Sequence, residues 1–112
     1  MLIVTDRSGN GMGIGFVDRA QSIGQLTGVS LGTPAFMLND FNASLSGVFV
    51  ATVQLVRSYN NGLSYQPLTA LGSSFLFTAP CEEVFVETEP GVLYAWQCIS
   101  YTSGTIKYRI SQ

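Results

Sequence analysis

The chain has 112 residues, enough for one domain and too few for a two-domain enzyme. Hydrophobic residues make up 46% and aromatics 12%, so a core can be buried, which excludes charge-driven disorder. Five Lys and Arg stand against seven Asp and Glu, with no His and a net charge of −2. That balance excludes electrostatic nucleic-acid binding and removes the commonest general base and metal ligand. Only 11% of the residues are charged, against about 25% in an average soluble domain. A surface so poor in charge suits coverage by other subunits.

Taken in order, Met1 to Val4 is a short apolar start that ends before Asp6 and Arg7. It is too short for a signal peptide, and the expectation is an unprocessed product of the cytoplasm. The longest apolar-rich run, Val48 to Val56, is broken by Thr52 and Gln54, so no membrane span is expected. Met1 to about Gly32 is Gly-rich, with Ser8 to Gly15 reading S-G-N-G-M-G-I-G. Glycine costs backbone entropy in any regular element, so this stretch reads as an extended arm. The spacing of Gly9, Gly11, Gly13 and Gly15 does not give G-x-G-x-x-G, so phosphate cradling is set aside. Met12, Ile14, Phe16 and Val17 need burial, and the expectation is that they lie along a neighbouring subunit as an assembly arm. Val29 to Leu38 contains Pro34 and reads as an extended edge segment.

The predicted division is therefore an arm over residues 1–38 and a β-sandwich domain over residues 39–112. From Phe41 the period is two. Phe41, Ala43 and Leu45 alternate with polar residues, and Phe49, Ala51, Val53 and Leu55 follow the same rule. Ser74 to Thr78, Val84 to Val86, Leu93 to Tyr101 and Thr105 to Ile110 complete the predicted strands. Asn60-Asn61-Gly62, Leu71-Gly72-Ser73, Ala79-Pro80, Glu89-Pro90-Gly91 and Thr102-Ser103-Gly104 supply turns. Short strands with turns at such intervals predict an all-β fold, a single Ig-like or jelly-roll-like sandwich with a Gly-rich N-terminal arm.

Arg57 to Tyr65 reads R-S-Y-N-N-G-L-S-Y. Ser58, Asn60, Gly62, Ser64 and Tyr65 resemble an Asp-box hairpin, with Asn where Asp is usual and Tyr where Trp is usual. The Asn side chain can bond turn amides, Gly takes a positive φ, and the aromatic packs back across the hairpin. That resemblance implies a structural turn formed by Ser58, Asn60, Gly62 and Tyr65.

Glu89 to Ile110 resembles the last hairpin of immunoglobulin-like and fibronectin-type-III sandwiches. The resemblance implies that Tyr94 is a corner tyrosine whose hydroxyl bonds backbone near the preceding loop. Trp96 and Cys98 follow at alternate positions, so Tyr94, Trp96 and Cys98 share one face and are expected in the core. Cys81 lies only 17 residues before Cys98, which disfavours the inter-sheet disulfide of antibody domains and predicts two reduced thiols.

A longer cadence runs through the domain: Ser44 to Phe49, Thr52 to Gly62, Phe77 to Pro80, Glu89 to Tyr94, and Tyr101 to Gln112. It resembles small β-sandwich virion proteins of tailed bacteriophages, of the capsid decoration or cement kind. The resemblance implies a virion component made in the host cytoplasm. Its partners would be the major capsid protein or other virion subunits, and copies of itself in a closed homo-oligomer such as a trimer. The alternative reading is a carbohydrate-binding or adhesion module of a tail or fibre, with Tyr59, Tyr65, Trp96 and Tyr108 as stacking rings. Neither reading asks for a cofactor, a metal, nucleic acid or a membrane.

Catalysis is not expected. Glu82, Glu83, Glu87 and Glu89 hold four of the seven acids in one run. Paired carboxylates can serve glycoside hydrolysis or hold calcium. The reading preferred here is an exposed strand whose charges discourage edge pairing. Neither cysteine has a His to activate it.

Overall fold

The computed structural model describes residues 20–112. The expected assembly residues Met12, Ile14, Phe16 and Val17 lie outside the described residues. Among the described residues the chain forms ten strands and no helix. They are β1 (Gln21–Leu26), β2 (Ser30–Leu31), β3 (Ala35–Ser46), β4 (Phe49–Ser58) and β5 (Gln66–Pro67). After them come β6 (Thr69–Ala70), β7 (Ser73–Ser74), β8 (Leu76–Phe77), β9 (Cys81–Gly104) and β10 (Ile106–Ser111).

All pairings are antiparallel, and the main ladder runs β1-β10-β3-β9-β4-β5, with β2 added to β9 and β8 added to β4. β6 and β7 form a separate small hairpin. The long strand β9 makes the sandwich. Its first half, Cys81 to Glu87, pairs with β3, and its second half, Leu93 to Gly104, pairs with β4. One chain segment thus belongs to both layers, and the ladder folds over on itself around an apolar filling.

The period-two reading explains which residues fill it. Phe41, Ala43 and Leu45 of β3 point inward, as do Ala51, Val53 and Leu55 of β4. Ile106, Tyr108 and Ile110 of β10, the strand beside β3 in the same layer, add to the same core. Trp96 is completely buried, its ring edge-on to Phe77 at 5.4 Å between centroids. Its indole N–H donates to the Arg109 carbonyl at 3.3 Å, so one side chain of β9 bonds the backbone of β10.

Two expectations are corrected. The division at residue 38 is too late, because β1 pairs along β10 and both Leu26 and Met37 are core residues. Residues 20–38 therefore belong to the sandwich. Gly24 concealed this. A Cβ there would stand 2.8 Å from Cζ of the Tyr108 ring, so the glycine is required by close packing rather than by an open arm. The second correction concerns Glu89-Pro90-Gly91, read from sequence as a turn between strands. Pairing with β3 stops at Glu87 and resumes at Val92, opposite Met37, so these residues bulge out of one continuous strand. A bulge is where a strand tolerates proline.

Candidate functional site

The Asp-box-like turn is built around Ser58, which is fully buried at the end of β4. Its Oγ accepts from the amides of Asn60 at 3.3 Å and Gly62 at 2.9 Å, and donates to Asn60 Oδ1 at 2.8 Å. Asn60 Oδ1 also accepts from the Ser64 amide at 3.0 Å, while its Nδ2 donates to Ser64 Oγ at 2.8 Å. The loop is closed by its own side chains. Tyr65 lies half-buried across it, and a Cβ on Gly62 would stand 3.3 Å from the Tyr65 hydroxyl. Gly62 has φ +89°, a conformation that costs a β-branched residue dearly. Gly62→Val is therefore expected to destabilise by about 1–3 kcal/mol, read as a lower urea midpoint.

The second constellation was not found from sequence. Tyr94 and Arg57 are paired residues on β9 and β4, and both face the end of the core where Glu87 is buried. The Tyr94 hydroxyl donates to Glu87 Oε1 at 2.6 Å, and Arg57 Nη1 reaches the same oxygen at 3.0 Å. The Glu89 amide donates to the other carboxylate oxygen at 3.0 Å, which ties the bulge to the cluster. The hydroxyl of Tyr94 thus finds a carboxylate, whereas the sandwich resemblance implied a backbone acceptor. The fourfold acidic run is corrected likewise: Glu82, Glu83 and Glu89 are exposed, but Glu87 is not.

Electrostatics follow from that geometry. Burial pushes the Glu87 carboxyl up, but donation from Tyr94 and Glu89 and the Arg57 charge outweigh it, and the group sits below its ordinary value. Burial, reinforced by donation to Glu87, pushes the Tyr94 hydroxyl up to about 12. Arg57 also lies over the Tyr59 ring, 5.0 Å from its centroid. The sequence signal was there in part: Arg57 is the one charged residue of the apolar strand β4 and needed an anion. Only the fold could say which of four glutamates supplies it.

Cys98 is buried beside Trp96 in the core cluster, and Cys81 is half-buried; both are free thiols. Burial pushes the Cys98 thiol up, so it behaves as a small hydrophobe. Of the four candidate stacking rings, Trp96 and Tyr108 are buried, Tyr65 is half-buried, and Tyr59 is exposed. The Tyr108 hydroxyl accepts from the Thr33 amide at 2.9 Å inside the fold. Among the described residues, no three Asp, Glu or Cys side chains come together as a group that could hold a metal ion.

The exposed surface is more distinctive than any cleft. No charged residue lies between Arg57 and Glu82. Tyr59, Leu63, Leu71, Phe75 and Leu76 are exposed along that stretch. Leu71 is fully exposed at the tip of the β6–β7 hairpin, with φ +53°, a strained conformation for a bulky side chain. The chain matches no model of a known protein family, no characterised protein and no solved structure.

Proposed function

We propose that this chain is a non-enzymatic structural protein of a phage-like particle, a capsid decoration or cement protein that binds and stabilises the major capsid lattice. The observation that carries the reading is the uncharged stretch from Tyr59 to Leu76, which exposes Tyr59, Leu63, Leu71, Phe75 and Leu76 to solvent. A single domain leaves such a patch open where another subunit covers it. The virion-protein cadence of the sequence points the same way. The mechanism is mass action. A subunit that binds the assembled lattice and not its dissociated parts stabilises the lattice by its binding free energy. The carbohydrate-binding alternative finds less support, because Trp96 and Tyr108 are unavailable as stacking platforms.

The test is co-sedimentation of the full chain with empty shells assembled from the major capsid protein of a tailed bacteriophage. Binding that saturates in a fixed ratio, and shells that disrupt at a higher temperature, are the expected results. Leu71→Asp should weaken binding while leaving the unfolding midpoint within about 0.5 kcal/mol of the parent, since the side chain is free of contacts in the fold. Shells that ignore the chain, together with binding to a glycan array, would transfer it to the adhesion class.

A further inference from the structure

β3 spans Ala35–Ser46, but β10 is paired with it only from Asn42 to Ser46. β9 runs along the other side, from Tyr94 opposite Ala35 to Cys81 opposite Leu45. Among the described residues, therefore, no strand lies beside Ala35 to Asp40 on the side away from β9. A side chain stands there instead. The Gln112 carboxamide donates through Nε2 to the carbonyls of Leu38 and Asp40, and its Oε1 accepts from the Leu38 amide at 3.4 Å. A donor and an acceptor set against the carbonyl and amide of one residue are what a neighbouring strand supplies. Phe36 and Leu38 are 53% and 40% exposed at this edge. They line a hollow of about 310 Å³ together with Ala20, Pro90, Gly91 and Gln112. An unpaired edge flanked by apolar side chains is a template for an added strand, and natural proteins cover such edges.

We infer that residues 12–17 of the same chain add to this edge as a strand and take the place of the Gln112 carboxamide on Leu38. The occupant follows from where the chain enters the sandwich. Ala20, the first described residue, lines the hollow, and its carbonyl accepts from the Gln112 amide at 3.2 Å. Ala20 and the edge of β3 flank Gln112, two strand spacings or about 10 Å apart, a distance the three Cα steps from Ala20 to Val17 can span. The segment reads M-G-I-G-F-V. In extended form Met12, Ile14 and Phe16 share one face, with Gly13, Gly15 and Val17 on the other. The first face can cover Phe36 and Leu38, while the two glycines ask for no room on the second. These apolar residues then find burial on their own chain, where the sequence alone pointed to a neighbouring subunit. The short tether of Asp18 and Arg19 favours this, because it holds the segment at a high effective concentration beside its own edge. The inference concerns the isolated chain and holds or fails independently of any particle.

The experiment is amide hydrogen exchange of the full chain, read residue by residue by NMR. Alternate amides between Gly13 and Val17, and the Leu38 amide, should exchange at least about tenfold more slowly than in an unstructured peptide. Phe16→Asp sets a charge against Phe36 and Leu38 and should return all of them to peptide rates, while the Val53 amide in the core stays protected. Gln112→Ala separates the two partners of Leu38. With the segment docked, the Leu38 amide stays protected in that variant; with the carboxamide as its sole partner, protection disappears and the inference falls. Peptide-like exchange from Gly13 to Val17 in the parent chain overturns it without recourse to any variant. Protection that grows between about 10 μM and about 1 mM, together with dimers in sedimentation, overturns it as well, since the segment then pairs with a neighbouring molecule.

Discussion

Trp96→Ala is expected to cost about 3–5 kcal/mol, the largest loss from any single apolar truncation among the described residues. Trp96 is the largest side chain with no exposure, and its ring fills the space between the two halves of the folded ladder. Truncation opens a cavity beside Phe77, Cys98 and Leu55 that the surrounding strands cannot collapse into without breaking register. It also leaves the Arg109 carbonyl without the donor that the indole provides. The measurement is the urea midpoint at constant slope, which separates a loss of stability from a change in the unfolded state. Trp96→Phe retains most of the volume and should lose markedly less, about 1–3 kcal/mol. A fully stable Trp96→Ala variant that no longer bound a glycan would place the ring on the surface and contradict the burial described above.

What the sequence could reveal follows from which interactions are local. Alternation along β3, β4 and β9 is a property of neighbouring residues, so the all-β class and the inward positions of Phe41, Val53, Tyr94 and Trp96 were readable. The turn from Ser58 to Tyr65 closes within eight residues, and its chemistry was equally plain. The division near residue 38 failed because the glycine in β1 answers to a ring 84 residues further on, at Tyr108. Glycine that admits a neighbour and glycine that loosens a loop look identical in a sequence. The same limit hid the cluster at Arg57. Pairing of β4 with β9 brings Tyr94 opposite Arg57, and the alternation that turns Phe85 toward Phe41 turns Glu87 to the same side, but which strands pair, and in what register, has no local signature.

Glu87→Leu is expected to destabilise by about 2–4 kcal/mol, second only to Trp96→Ala. Removing the anion strands the half-buried Arg57 guanidinium, the buried Tyr94 hydroxyl and the Glu89 amide at once. The figure lies below that for a wholly buried pair because Arg57 keeps part of its hydration. Tyr94→Phe leaves the carboxylate two of its donors and should lose less, about 1–2 kcal/mol. The two changes should fall short of additivity, since they delete one shared hydrogen bond. The sign of the pH dependence follows from the direction of each shift. Glu87 is held below its ordinary value in the fold, so its contribution is complete above about pH 4.3 and disappears as the pH falls through the folded value. Tyr94 is raised from 10.0 to about 12, so its contribution is complete below pH 10.0 and disappears on the way up to about 12. Urea midpoints measured across pH should therefore fall at both ends. Glu87→Gln should flatten the acid fall, and Tyr94→Phe the alkaline one, each in its own range. An acid fall unchanged in Glu87→Gln would mean that the carboxylate is not held by these three donors, and the bulge at Thr88 to Gly91 would need another anchor.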